Sequence, residues 1–461
     1  MFVISASRTF NWMGLGGAAA RLGRFDAVSI VEPPVADDPN MAVSQRRATR
    51  PSNLPSSTGV DSAIMLRVRA RFAGTLVETV ALEDAELLRA AVHRAAGVAS
   101  GEWLPLRPVA AAVAGPRADS LERDATLLAS LADLPGVSGS EWRVRETVRA
   151  LLPEWARRRL SVDSAGNLLL AFGPDRDSVM FIAHMDEVGY TVRAIAGDGI
   201  VTLAPQGGVI PSAWEGQPAL LDFQPASPDT SVRPLRGVFV PRDSVTRKQP
   251  RGMQAWFGLD SARLVAAGVR PGLGVSAYKR ATRIGDTRFT GRAMDDRVGS
   301  AALILAARQI DTARLTHKVL FVWSTREEGG LVGARAVART LGSTLRRVYA
   351  IDTFVSSDTP LESPHFAFAP LGAGPVLRGL DDGIVAPRAE RERVLAIARE
   401  AGIPLQVGTT HGSTDATAIV AFGAPGMGLS WPGRYSHSPA EVMDLRDLTR
   451  LARLIAAVAV D

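Results

Sequence analysis

Histidine and carboxylate side chains occur where predicted strands end and where one predicted helix begins. The apolar segment 179–183 leads directly into His184, Met185 and Asp186. The other residues of this kind are Glu327 and Glu328 after 318–324, Asp352 after 347–351, His437 after 425–431, and Asp295 before the apolar helix 298–307. Carboxylate oxygens and imidazole nitrogens are ligands that suit zinc, cobalt and manganese. The pattern therefore predicts a metal site built from several separate segments.

Each of these residues also has an ordinary structural explanation when it is considered alone. Asp295 or Asp296 could cap a helix, and Glu327 with its neighbour could place negative charge at a helix N-terminus. Asp352 could be a turn residue, and His437 a hydrogen-bonded loop histidine. In an open α/β sheet, however, ligands bind at the carboxyl ends of the strands. The convergence of five segments on one rim of the sheet therefore favours metal binding.

The spacing of His184 and Asp186 predicts that one residue orients the other. Residues two apart in an extended chain point to the same side, so His184 and Asp186 are expected to be neighbours. A metal-bound imidazole usually donates its other N–H to a carboxylate. Asp186 is therefore predicted to orient His184.

An alternation of helices with short apolar strands begins near Leu121 and predicts an α/β fold. We expect a mixed-sheet α/β/α domain in which a helix over 138–152 precedes strands over 167–172 and 178–183. Short strands rich in Gly and Pro between 194 and 289 predict an inserted small β-rich domain. The predicted divisions are an N-terminal extension at 1–118, the first part of the main domain at 119–193, the insert at 194–289, and the second part of the main domain at 290–461.

The N-terminal extension combines segments with and without hydrophobic periodicity. Residues 1–60 show little periodicity and are expected to be loosely ordered. Alternating apolar and polar residues over 64–82 predict a strand, and 84–96 predict a helix. The Pro-rich stretch 105–116 is expected to be a linker.

Composition excludes several classes of protein. With 46% hydrophobic and 22% charged residues, the 461-residue chain is expected to be globular. It has no apolar run of the ~18–20 residues needed to cross a membrane. The absence of cysteine excludes thiolate ligands and fits a reducing compartment, so we predict a cytoplasmic location. The net charge of +6 comes almost entirely from dispersed Arg, without a basic patch that would predict nucleic-acid binding.

Seven sequence blocks in the same order resemble the M42 family of metallo-aminopeptidases, the glutamyl/leucyl aminopeptidase and TET-peptidase group. The resemblance extends from about Leu121 to the C-terminus. Its blocks are Pro135-Gly136-Val137-Ser138-Gly139, Asp163-Ser164-Ala165-Gly166-Asn167, Ala183-His184-Met185-Asp186-Glu187-Val188-Gly189-Tyr190, Asp295-Asp296-Arg297, Glu327-Glu328-Gly329-Gly330-Leu331-Val332-Gly333-Ala334, Asp352 with Asp358-Thr359-Pro360, and Arg434-Tyr435-Ser436-His437-Ser438-Pro439.

The resemblance implies a role for each candidate residue. His184 and Asp352 would hold one divalent cation and Glu328 and His437 a second, zinc or cobalt with manganese as a third option, while Asp295 would bridge the two ions. Glu327 would be the general base and Asp186 would orient His184. The expected activity is removal of N-terminal residues from peptides. The resemblance further implies that the insert serves regulation or assembly and that the chain forms a homo-oligomer, often of twelve subunits.

The sequence departs from the family in three places. Residues 1–118 have no counterpart in the family, which puts the oligomer geometry in doubt. Ser413 stands where a second Gly is common, and the Pro271-Gly272-Leu273-Gly274 segment lacks the Asp that usually follows Pro-Gly. These last two differences concern the shape of the substrate pocket and the insert.

Three other functions stay open on sequence grounds. A related M20-type amidase or carboxypeptidase would use a similar set of ligands. An M42-like endoglucanase would need a carboxylate pair that works without metal. A non-catalytic scaffold would use the metal only structurally. Of the remaining histidines, His93, His317 and His365 are expected to be surface or packing residues, whereas His411 is a candidate for substrate contact.

Overall fold

In the computed structural model of the protein, the part of the chain that is described forms two compact units. The first unit lies within Met1–Val113 and Pro241–Gln249, and the second within Ala114–Val240 and Pro250–Asp461. The described residues are 29–32, 43–49, 62–68, 81–96, 121–223, 233–241, 252–359 and 367–461. The predicted linker at 105–116 lies outside them.

The first unit contains a small sheet and a helix. Strand β1 (Ser29–Glu32) pairs in parallel with β3 (Ser62–Val68), and β2 (Val43–Thr49) pairs antiparallel with β3. Helix α1 covers Leu82–Ala96. Two of these strands lie within residues 1–60, where the sequence shows little periodicity.

The second unit is built around a mixed sheet with helices on both sides. Its strands are β4 (Leu160–Val162), β5 (Leu168–Phe172), β6 (Ser178–His184), β7 (Gly189–Ile195), β8 (Ile200–Gln206), β9 (Pro218–Leu221), β10 (Leu235–Phe239), β11 (Gln254–Trp256), β12 (Gly274–Ala277), β13 (Thr282–Ile284), β14 (Arg288–Gly291), β15 (Val319–Ser324), β16 (Leu345–Ile351), β17 (Thr353–Val355), β18 (Val376–Leu380), β19 (Gln406–Thr409), β20 (Gly426–Gly433) and β21 (Glu441–Asp444). Its helices are α2 (Glu122–Ala132), α3 (Trp142–Leu151), α4 (Glu154–Arg157), α5 (Pro211–Trp214), α6 (Ser261–Ala266), α7 (Met294–Gln309), α8 (Val332–Leu341), α9 (Arg388–Glu400), α10 (Asp415–Val420) and α11 (Leu445–Val460), with short 3-10 turns at Thr312–Arg314 and Gly342–Thr344.

The central sheet has the order β19-β18-β20-β16-β6-β15-β5-β4, with β17 beside β20. Strands β15, β6, β16 and β20 run parallel, whereas β4 and β5 are antiparallel to their neighbours. The parallel strands are almost wholly buried because helices cover both faces, which explains their continuous apolar sequences. The mixed-sheet α/β/α fold predicted from the sequence is thus confirmed.

Alternation along β6 divides the core between the two faces of the sheet. Phe181 stacks on Tyr349 and meets Phe321 edge-on, on the face covered by α7 and α11. Met180 and Ile182 face the opposite side, where α8 and α10 pack. Burial on both faces fixes the register of β6, because a shift by one residue would exchange the two sets.

Strands β7 to β12 form a closed barrel of their own, in the order β10-β11-β8-β7-β12-β9. The barrel has a separate apolar core in which Trp214 packs edge-on against Tyr190 and Phe239. Its strands run from Gly189 to Ala277, and the insert boundaries at 194 and 289 stay a prediction. Within the described ranges, no helix is both long and apolar enough to span a membrane.

Candidate active site

The register of the central strands brings the predicted site residues to one edge of the sheet. In the parallel ladder, Ser324 at the end of β15 lies opposite His184 at the end of β6. Ile351 at the end of β16 lies opposite Ala183. The residues that follow these strand ends, Glu327 and Asp352, therefore emerge beside His184.

Asp295 lies between the two histidines of the predicted site. Its Oδ1 is 3.3 Å from Nε2 of His184, and its Oδ2 is 3.7 Å from Nε2 of His437. Asp295 and Asp296 are joined by a cis peptide bond at the start of α7. One carboxylate thus turns its two oxygens toward imidazoles from different segments, which is the arrangement that a bridging ligand requires.

Each of the other two predicted ligands lies beside one of these histidines. Oδ1 of Asp352 lies 3.8 Å from Nε2 of His184, and Oε1 of Glu328 lies 3.3 Å from Nε2 of His437. Ligand atoms of His184, Asp295 and Glu328 all lie within 4.8 Å of one another. All five residues predicted as metal ligands are therefore in one cluster.

Asp186 is buried beneath the cluster and contacts two of its segments. Its Oδ1 is 3.4 Å from Nδ1 of His184. Its two oxygens accept the backbone N–H groups of Glu327 and Glu328, each at 3.0 Å. Burial raises the pKa of Asp186, but the hydrogen bond and charge of His184, with the N–H of Glu327 and the hydroxyl of Ser138, lower it by more. The carboxylate is therefore held in its charged form, in contact with both His184 and the Glu327 loop.

Glu441 also supports the cluster, and the sequence did not predict it. Its Oε1 accepts the backbone N–H of His437 at 2.7 Å, and its Oε2 accepts that of Asp295 at 3.0 Å. Ser436 adds a hydrogen bond from its hydroxyl to Oδ2 of Asp295 at 2.9 Å. The signal available in the sequence was the position of Glu441 soon after the Arg434–Pro439 block, at the start of a strand.

The cluster carries more negative charge than its own histidines balance. Burial raises the pKa of Glu327, Glu328 and Asp352, and neighbouring carboxylates raise it further, although the histidines oppose the shift. Burial lowers the pKa of His184, but the neighbouring carboxylates of Asp186, Asp295 and Asp352 outweigh it and raise the pKa well above the ordinary value. Buried charges of one sign require compensation.

The donor set of this cluster fits a divalent metal. Oδ1 of Asp295 is buried and accepts no hydrogen bond, although buried polar atoms are normally satisfied. Imidazole nitrogens and carboxylate oxygens are the ligands that zinc, cobalt and manganese accept. A cation beside Asp295 would satisfy this oxygen and balance the excess negative charge.

Two of the remaining histidine side chains are described. His317 is buried just before β15, and His411 is exposed with Nδ1 3.1 Å from Oδ1 of Asp382. The side chains of His93 and His365 lie outside the described residues. Substrate contact by His411 stays a prediction.

Known proteins share this fold and sequence pattern. The pattern of the M42 glutamyl aminopeptidase family matches residues 166–454. The lysyl aminopeptidase of Pyrococcus furiosus is 30% identical over 356 residues, which cover 73% of this chain and 96% of that protein. An aminopeptidase from the archaeon Desulfurococcus kamchatkensis superposes with a TM-score of 0.68 at 28% identity, covering 74% of this chain and 95% of that one. The TET1 peptidase of Pyrococcus horikoshii does so with a TM-score of 0.65 at 29% identity, covering 73% and 99%.

These similarities confirm the family and the class of activity predicted from the sequence. The matched range includes all seven residues assigned to the site, from His184 to His437. The chain belongs to the M42 peptidase family and is a metal-dependent aminopeptidase.

Proposed function

We propose that the chain removes N-terminal residues from peptides with two divalent cations, zinc, cobalt or manganese, bound at the cluster. His184 and Asp352 would hold one ion, Glu328 and His437 would hold the other, and Asp295 would contribute to both. The observation that carries this proposal is the position of the Asp295 carboxylate, with one oxygen toward His184 and the other toward His437. A single ion at His184 and Asp352 would leave the pair of Glu328 and His437, on the other side of Asp295, without one.

The cations would polarise the scissile carbonyl and lower the pKa of an attacking water. Glu327 takes a proton from this water and passes it to the departing amine. Burial and the charges of Asp352 and Glu328 raise the pKa of Glu327 well above its ordinary value, while His184 opposes the shift. Cations held by Asp352 and Glu328 would offset the two charges that raise this pKa and so bring Glu327 toward the range in which it can both accept and return a proton.

Asp186 supports the reaction without contacting the substrate. Its contact with Nδ1 of His184 leaves Nε2 of that ring free to serve as a ligand. Its hydrogen bonds to the backbone of Glu327 and Glu328 hold these two neighbours in place. One glutamate can then act as a base while the next acts as a ligand.

A homo-oligomer is part of the proposal. The TET1 peptidase of Pyrococcus horikoshii assembles into a tetrahedron or a large octahedral shell. A dodecamer is therefore the first assembly to test here, by analytical ultracentrifugation of the full chain. Residues 1–118 have no counterpart in the family and are expected to influence the result. The cytoplasmic location stays a prediction.

The decisive experiment is hydrolysis of a substrate panel by chelated protein to which each metal is returned separately. The panel contains aminoacyl p-nitroanilides, their N-acetylated forms, N-acyl amino acids and a soluble β-glucan. We expect activity on free aminoacyl substrates alone, restored by zinc, cobalt or manganese, with about two ions per chain by elemental analysis.

Each competing function predicts a different result in the same panel. Preferential hydrolysis of N-acyl amino acids would identify an amidase or carboxypeptidase of the M20 type. Glucan hydrolysis that survives chelation would identify a glycosidase. Two bound ions without hydrolysis of any substrate would identify a scaffold.

A further inference from the structure

The inserted barrel touches the cluster at the side of His437. The loop between β8 and α5 begins with Gly207 and Gly208, and the carbonyl oxygen of Gly208 lies 3.0 Å from Nδ1 of His437. At the end of α5, the indole N–H of Trp214 donates to the carbonyl oxygen of His437 at 3.1 Å. His437 is thus bonded to the barrel through both its ring and its backbone.

The two glycines allow a close approach that other residues would block. A Cβ atom on Gly208 would lie 2.9 Å from Nδ1 of His437. A Cβ atom on Gly207 would lie 2.8 Å from Val188 and 3.1 Å from Oε2 of Glu328, and its φ of +75° already favours glycine. The barrel backbone therefore packs directly against both residues proposed to hold the second cation.

The contact at Nδ1 determines which nitrogen of His437 is available to bind a metal ion. A carbonyl oxygen can only accept a hydrogen bond, so Nδ1 of His437 must carry the proton. Nε2 is then the nitrogen left to bind a cation, with Oε1 of Glu328 3.3 Å and Oδ2 of Asp295 3.7 Å from it. Fixing the tautomer through the second ring nitrogen increases the affinity of a histidine for metal.

Trp214 connects this contact to the interior of the barrel. Its side chain is buried and packs edge-on against Tyr190 and Phe239, with ring centroids 5.5 and 5.4 Å away. The bond to the carbonyl of His437 therefore comes from a side chain that the barrel core holds in place. The backbone N–H of His437, in turn, donates to Oε1 of Glu441.

We propose that Gly208 and Trp214 of the inserted barrel are positioning residues for His437, which make the barrel a structural part of the second cation site. This inference rests on the proposed function, because it takes His437 as a ligand. It implies that a change in the barrel alters metal affinity at one site and leaves the other, held by His184 and Asp352, unchanged.

The test is calorimetric titration of metal-free full chain with Co²⁺. For Gly208→Ala we expect one of two binding events to weaken by about tenfold or more, with the other unchanged. Trp214→Phe keeps the aromatic packing and removes the N–H, and it should weaken the same event by a smaller factor. His437→Ala identifies the event, because it should abolish that one alone.

The matched control is Gly197→Ala in the same barrel, where an added Cβ would have nothing within 4 Å. It should titrate as the wild type does. Wild-type affinity at both events in the Gly208 and Trp214 variants would overturn the inference. If Gly208→Ala fails to fold, Trp214→Phe decides alone. A wild-type chain that binds fewer than two ions would contradict the proposed function instead.

Discussion

The Asp186 carboxylate accepts the backbone N–H of Glu327 at 3.0 Å, although 141 residues separate the two in sequence. The same carboxylate lies 3.4 Å from Nδ1 of His184. Asp186 therefore connects a proposed ligand with the proposed base. Its role extends beyond orienting His184, because it also fixes the end of the loop that carries both glutamates.

Replacing Asp186 with Ala should reduce both metal affinity and turnover. The change removes the partner of His184 and leaves two backbone N–H groups without an acceptor. Loss of such a supporting carboxylate typically costs 10–100-fold in affinity or activity. Titration of the metal-free variant with Zn²⁺ measures the first effect.

A matched control for this variant is Asp311→Ala. Asp311 is also an aspartate that accepts a backbone N–H, that of Ala313, but it is exposed at a 3-10 turn. It should bind Zn²⁺ with wild-type affinity. Equal Zn²⁺ affinities for Asp186→Ala and the control would show that Asp186 does not support metal binding.

The sequence could predict those parts of the site that lie at strand ends. His184, Glu327 and Asp352 follow apolar strands, and parallel strands bring their ends to one edge of a sheet, so their meeting follows from local pattern and fold class. The contacts of Glu441 with Asp295, and of Gly208 with His437, span 146 and 229 residues. They depend on how the barrel and the three-stranded sheet of β13, β14 and β21 pack against the rest of the second unit, and the periodicity of the sequence does not predict that packing.

The Glu327→Gln variant should retain metal and lose turnover. Glutamine preserves the size of the side chain and the backbone hydrogen bond to Asp186, but it cannot accept a proton from water. General-base catalysis contributes typically about 10²–10⁴-fold, so kcat should fall within that range. Elemental analysis should find the same metal content as in the wild type.

Two further variants test whether the loss of turnover without loss of metal is specific to Glu327. Glu328→Ala should lose metal, because that residue is the proposed ligand. Glu392→Gln changes an exposed glutamate that pairs with Arg388, four residues before it, and it should keep full activity. Near-native turnover in Glu327→Gln would rule out the proposed base.

Asp415 should make the metal-free protein less stable as pH rises from about 4 to 7, because this carboxyl binds its proton more tightly in the folded state. Burial raises the pKa of Asp415 to about 7 from 3.8. Between these two values the folded state binds more protons than the unfolded state, so the free energy of unfolding falls with rising pH. One such group contributes a slope of up to about 1.4 kcal/mol per pH unit.

Asp415→Asn tests this slope directly. The amide oxygen can still accept the hydrogen bond that Ser324 donates to Asp415. Urea unfolding of chelated protein at pH 5 and pH 7 should show a smaller loss of stability in the variant than in the wild type. Parallel pH dependence in the two proteins would mean that Asp415 titrates normally.

The ion pair between Arg143 and Asp222 should contribute to stability. Nε of Arg143, on helix α3, lies 2.8 Å from Oδ1 of Asp222, which follows barrel strand β9. The two side chains are only 11% and 2% exposed. Arg143→Ala would leave the Asp222 carboxylate buried without this partner, which costs on the order of 3 kcal/mol. Urea unfolding of the metal-loaded protein measures this loss.

An exposed ion pair provides the comparison for Arg143→Ala. Arg158 and Glu154 are 77% and 68% exposed, so Arg158→Ala should change stability by less than about 1 kcal/mol. Arg143 pairs with Asp222 and stacks on Trp142, neither of which is a proposed ligand, so its variant should bind metal with normal stoichiometry. Equal stability of the two Arg variants would show that the pair of Arg143 and Asp222 contributes no more than an exposed ion pair does.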